Sequence, residues 1–106
     1  MQSNWKQSDY EEGTVIQRLA SIKHQLTEFG VSSLALFGST VRGENTPRSD
    51  IDILVDFADG QETYTNYLTV CEILQQTFKR YKVDIVTKNG LSPYIGPAIL
   101  DEAQYV

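Results

Sequence analysis

A short apolar run, Ser33-Leu34-Ala35-Leu36-Phe37, stops on Gly38-Ser39, and ten residues further on the chain reads Asp50-Ile51-Asp52. The first run is nearly continuous in apolarity, as a central strand covered on both faces must be. The second segment, Ile51 to Phe57, alternates. Ile51, Ile53, Val55 and Phe57 share one face, and Asp50, Asp52 and Leu54 share the other. Between the two lies a turn-rich stretch, Arg42 to Ser49, holding Gly43, Asn45 and Pro47. Segments with this periodicity cannot be satisfied by a helical bundle. They require a sheet.

The rest of the chain supplies what would cover that sheet. Val15, Leu19, Ile22, Leu26 and Phe29 recur at four, three, four and three residues, the stripe of an amphipathic helix over about Val15 to Phe29. Thr14 and Gln17 read as a capping box at its start and Gly30 as its C-terminal glycine. Tyr67, Cys71, Leu74 and Phe78 mark a second helix over about Tyr64 to Arg80. Cys71 is therefore expected in the core rather than as a nucleophile. His24 lies off the first stripe and is expected at the surface. Lys82 to Thr87 alternates as a third strand, with Val83 and Ile85 opposite Asp84 and Val86. Ser92-Pro93 reads as the N-cap and first residue of a last helical stretch, which Gly96-Pro97 interrupts before Ala98 to Ala103. This order predicts a mixed α/β or α+β domain, a small mixed sheet flanked by helices, over residues 14–106. Residues 1–13, polar apart from Trp5 and Tyr10, read as an N-terminal extension.

Charge and cysteine usage narrow the function. Fourteen acidic against nine basic residues give a net charge of −5 in 106 residues. That balance opposes direct nucleic-acid binding, which needs a basic footprint. One cysteine and one histidine cannot make a disulfide or a Cys/His zinc site. No apolar run approaches the roughly 20 residues of a membrane span, and the first residues lack the apolar core of a signal peptide. A cytoplasmic protein without membrane contact is the expectation.

The chemistry is expected where the carboxylates are. Asp50 and Asp52 point the same way about 7 Å apart. At an effective dielectric near 20, two such charges repel by roughly 2–3 kcal/mol. Asp84 adds to that if its strand is a neighbour. An isolated Asp-x-Asp is ordinarily a turn residue followed by a solvated strand residue. A functional cluster needs cations to neutralise it, and Mg²⁺, which takes a few carboxylates plus phosphate and water oxygens, is the natural one. The Gly-Ser turn shifts the balance. Gly38 lets backbone N–H groups come close to a phosphate, Ser39 adds a hydroxyl at the start of a helical turn, and Arg42 offers a guanidinium. Gly-Ser, ten residues, then Asp-x-Asp arises by chance on the order of once per thousand chains of this length.

LFGSTVRGENTPRSDIDILVDF, followed by VDIV, resembles the nucleotidyltransferase superfamily that shares its core with DNA polymerase beta. The short length resembles its minimal branch, the antitoxins of two-gene modules whose partner is a HEPN toxin. The resemblance covers about Val15 to Val106. It implies that Asp50 and Asp52 bind two Mg²⁺ ions, that Asp84 helps hold the metal on the nucleophile side, and that the Gly38-Ser39 turn grips the triphosphate. It further implies transfer of AMP from ATP to a tyrosine of the toxin, with release of pyrophosphate. Two other readings compete: an antitoxin that masks its partner by binding alone, and a nucleotidyltransferase acting on a small molecule or an RNA end. An intact set of three aspartates argues against the first, and the acidic charge against the RNA form of the second.

Overall fold

The computed structural model describes residues 12–42 and 50–106. In chain order it has α1 (Glu12–Thr27), β1 (Val31–Leu36), the single turn α2 (Ser39–Arg42), β2 (Ile51–Phe57) and α3 (Tyr64–Thr77). There follow β3 (Val83–Thr87), a 3-10 turn at Lys88–Gly90, α4 (Gly96–Glu102) and β4 (Gln104–Tyr105). The four strands form one mixed sheet in the order β3-β2-β1-β4. β1 is antiparallel to β2 and to β4, whereas β2 and β3 run parallel with α3 as the crossover.

The alternation of β2 sorts the sheet into two faces with different cover. Ile51, Ile53, Val55 and Phe57 pack with Val15, Leu19 and Leu26 of α1 and with Val70, Leu74 and Phe78 from α3 and its end. Each such side chain removed from water contributes about 1.5–3 kcal/mol. The opposite face carries a smaller cluster, Ala35, Phe37 and Leu54, covered by Val86, Leu91, Ile99 and Ala103. That thinner cover leaves room at one end for polar groups. Asp52 lies on this face, one alternation from Leu54.

Several local expectations change in the folded chain. α1 already includes Glu12, so Thr14 lies inside the helix and no capping box starts there. α1 closes through Gly30, whose φ of +91° is the left-handed value expected of a terminating glycine. Gly96-Pro97 does not interrupt the last helix but begins it, because proline in the first turn has no needed N–H to lose. Ser92 caps only a preceding turn, its hydroxyl accepting from the Tyr94 amide. Cys71 is half-buried rather than enclosed, and His24 is exposed as expected. The strand Gln104–Tyr105 adds to the expected order, since two residues carry no periodicity. The expected extension with Trp5 and Tyr10, and the turn from Gly43 to Ser49, lie outside the described residues. Among the described residues, no helix is long and apolar enough to cross a membrane.

Candidate active site

Asp52 sits at the second position of β2, where the strand is gripped from both sides. Its carbonyl accepts the Phe37 amide at 3.1 Å, and its own amide donates to Thr40 Oγ1 at 3.1 Å. Thr40 is 1% exposed, so a buried hydroxyl extends the ladder where β1 has already turned away. On the other side, the parallel register sets Asp52 directly against Asp84 of β3. Residues at one level of neighbouring parallel strands, about 4.8 Å apart, present their side chains to the same face. The condition on which Asp84 joins the cluster is therefore met. Asp50 immediately precedes β2 and is half-buried, anchored by the adjacent Ile51 amide donating to the Lys82 carbonyl at 2.9 Å. Asp56, four residues beyond Asp52, has its own neighbour in Lys88 at 4.0 Å and stands apart from this group.

Gly38 completes the constellation. Its φ is +65°, and a Cβ built on it would overlap Asp52 Oδ2. Glycine is required both by the backbone and by the carboxylate beside it. The Gly38 carbonyl accepts the Val41 amide at 3.1 Å, closing α2, and Ser39 opens that single turn as the sequence predicts. The Gly38 amide donates to Glu102 Oε2 at 2.9 Å. The side chains of Ser39 and Arg42 lie outside the described set, so their expected phosphate contacts carry no geometry here. Sequence reasoning missed two polar groups at this site, Thr40 and Glu102. Thr40 had one available signal, its place between the Gly-Ser turn and the aspartates. Glu102, sixty-four residues from Gly38, had none.

A glycine turn thus packs against one of an in-register pair of strand aspartates. The model of the nucleotidyltransferase domain matches residues 18–106. The chain belongs to that family. This nucleotidyltransferase domain is 38% identical over 89 residues to the protein adenylyltransferase MntA of Thermococcus cleftensis, covering 83% of this chain and 88% of that one. It is 40% identical over 81 residues to MJ1379 of Methanocaldococcus jannaschii, provisionally named a protein adenylyltransferase, covering 74% of this chain and 80% of that one. A solved structure provisionally described as a minimal nucleotidyltransferase superposes with a TM-score of 0.76 at 30% identity, covering 89% of this chain and 94% of that one. A toxin–antitoxin structure with AMP-PNP shares the fold at a TM-score of 0.61 and 22% identity, covering 89% of this chain and 70% of that one.

The family implies a divalent metal, and the donor set tests that implication. Among the described residues, no three His, Cys, Asp or Glu side chains converge into a ready-made metal cage. Mg²⁺ does not need one. It is held by one or two carboxylates together with substrate phosphates and water, unlike Ca²⁺ in an all-protein cage. Asp52 and Asp84 on one level, with Asp50 two residues along, supply oxygen donors only. The residues of this nucleotidyltransferase fit Mg²⁺ brought together with a nucleotide.

The single thiol plays no part in this arrangement. Burial pushes the Cys71 thiol above its ordinary value, although a hydrogen bond with Tyr67 opposes the shift. The hydrogen bond to Cys71 in turn raises the Tyr67 phenol. Both groups are held neutral on α3, which suits a packing role and not a nucleophile.

Proposed function

We propose that this nucleotidyltransferase is an antitoxin that transfers AMP from ATP to a tyrosine of a cognate HEPN-domain ribonuclease toxin and so neutralises it. The observation that carries the reading is the level pairing of Asp52 with Asp84 beside a glycine that leaves no room for a Cβ. The name of the Thermococcus relative, protein adenylyltransferase, supports a protein as acceptor. The toxin–antitoxin fold neighbour with AMP-PNP suggests the same kind of partner and donor.

Asp50, Asp52 and Asp84 would hold two Mg²⁺ ions. Bound there, Mg²⁺ would neutralise phosphate charge and lower the pKa of the attacking phenol. Asp84, exposed on the edge strand, would orient the acceptor hydroxyl. Gly38, having no Cβ, lets the Asp52 carboxylate occupy its place against the turn. Ser39 and Arg42 donate to the triphosphate. The tyrosyl oxygen attacks the α-phosphorus in line, its proton passing to solvent or to Asp84. The bond to the bridging oxygen breaks, and pyrophosphate departs.

The test is mass spectrometry of the toxin after incubation with this protein, ATP and Mg²⁺. A mass gain of AMP on a toxin tyrosine is expected. Unmodified toxin that is nevertheless inhibited would overturn transfer in favour of masking by binding.

A further inference from the structure

The strand β4 does more than close the sheet. Its register on β1 pairs Ala35 with Tyr105 and Leu36 with Gln104, and the Val106 amide donates to the Leu34 carbonyl at 3.0 Å. Extended two residues past Leu36, that register places Glu102 opposite Gly38. There the ladder cannot continue, because the chain leaves α4 only at Ala103. The Glu102 carboxylate takes the acceptor's place and receives the Gly38 amide at 2.9 Å in a partly buried setting. An ionised acceptor makes this bond stronger than the backbone bond it replaces. Gly38 is thus bounded on two sides, by Asp52 Oδ2 where a Cβ would go and by Glu102 on its amide.

We propose that Glu102 is a positioning residue, a carboxylate that sets the glycine turn in the form the nucleotide meets. The role rests on the functional reading above. Its charge makes the inference specific. Glu102 brings a further carboxylate towards a site that already bears Asp50, Asp52 and Asp84, and like charges repel. The same amide is attractive to a phosphate, so two roles are distinguishable by sign. A positioning carboxylate stays in place, and removing it weakens nucleotide binding. A carboxylate that merely competes with phosphate is displaced, and removing it strengthens binding.

The experiment compares full-length wild type, Glu102→Ala and Glu102→Gln. The Gly38 amide is followed by ¹⁵N–¹H NMR without nucleotide, and ATP with Mg²⁺ is titrated by calorimetry. In Glu102→Ala the amide should lose its downfield shift and its exchange protection, and ATP affinity should fall about tenfold. The KM for ATP should rise in step while kcat holds. Glu102→Gln, which keeps an acceptor at the same reach, should restore most of both signals. Unchanged or tighter ATP binding in Glu102→Ala would overturn the proposal, as would an unaltered Gly38 amide. Should Glu102→Ala fail to fold, Glu102→Asp decides: one methylene short, it must bind ATP more weakly than Glu102→Gln. Wild type that binds no ATP overturns the functional reading and the nucleotide half of this one, while the Gly38 amide still decides whether the clamp exists.

Discussion

Gly38 and Asp52 compete for one volume: a methyl group on the glycine would overlap the aspartate's Oδ2. The close approach explains a glycine at the end of β1 better than turn propensity alone. It also makes the position a sensitive probe. Gly38→Ala is expected to cost about 1–2 kcal/mol from the left-handed backbone, before any displacement of Asp52 is counted. ATP affinity should fall more than in Ser39→Ala, which loses one hydrogen bond. Thermal unfolding with ATP titration of both variants measures this, and equal ATP affinities in the two would contradict it.

The aspartates themselves should behave in the opposite way. Asp52→Asn and Asp84→Asn remove one of two like charges at the same level of parallel strands. Solvent screening limits the relief, so the variants should be as stable as wild type or more stable by up to about 1 kcal/mol. AMP transfer should be lost in both, and in Asp50→Asn. Urea unfolding midpoints, read beside a transfer assay, check this. A midpoint well below wild type would make these residues structural.

Thr40 separates support from chemistry. Its buried hydroxyl accepts the Asp52 amide, and Thr40→Val keeps the shape while orphaning that N–H. A loss of about 1–3 kcal/mol is expected. Transfer should slow because Asp52 loses one of the bonds that fix it, and Thr40→Ser should recover both properties. Denaturant unfolding and transfer rates across the three proteins provide the check.

The raised Cys71 and Tyr67 groups predict an alkaline limit. Each is acidic, and each has a folded value above its ordinary one of 9.0 or 10.0. Their contribution to stability is therefore complete below pH 9.0 and is lost as the pH rises through the folded values. Wild type should lose stability above that pH more steeply than a Tyr67→Phe/Cys71→Ala variant, by pH-dependent urea unfolding. Iodoacetamide should label Cys71 slowly at neutral pH.

What could be read in advance followed from periodicity. β2 was legible to the residue because one of its faces is buried and the other carries Asp52, so its alternation is sharp. Asp84 was legible as a strand residue, but its pairing with Asp52 was not, because strand order is a long-range choice. β4 escaped because two residues have no period. Glu102 escaped with it, since its place opposite Gly38 follows only from the β4 register. Gly96-Pro97 is ambiguous in the sequence because the same dipeptide that breaks a helix interior suits a helix start.

On the proposed function, neutralisation of a toxin should separate into binding and modification. Adding AMP to a tyrosine near a ribonuclease centre introduces negative charge and bulk where RNA phosphates must enter. That block persists after the partners part, whereas binding blocks only while they remain together. Tyr94 and Ile95 of the C-terminal segment, 91% and 58% exposed, are the proposed docking surface for the toxin. The variant carrying Asp50→Asn, Asp52→Asn and Asp84→Asn should therefore still bind the toxin but protect RNA only at stoichiometric excess. Wild type with ATP and Mg²⁺ should protect at substoichiometric amounts, and the toxin should stay inactive once purified away. Ribonuclease assays at graded ratios, before and after separation, measure both halves. Full recovery of toxin activity after separation from wild type would show that covalent transfer is not the mechanism, leaving occlusion of the toxin by the bound antitoxin in its place.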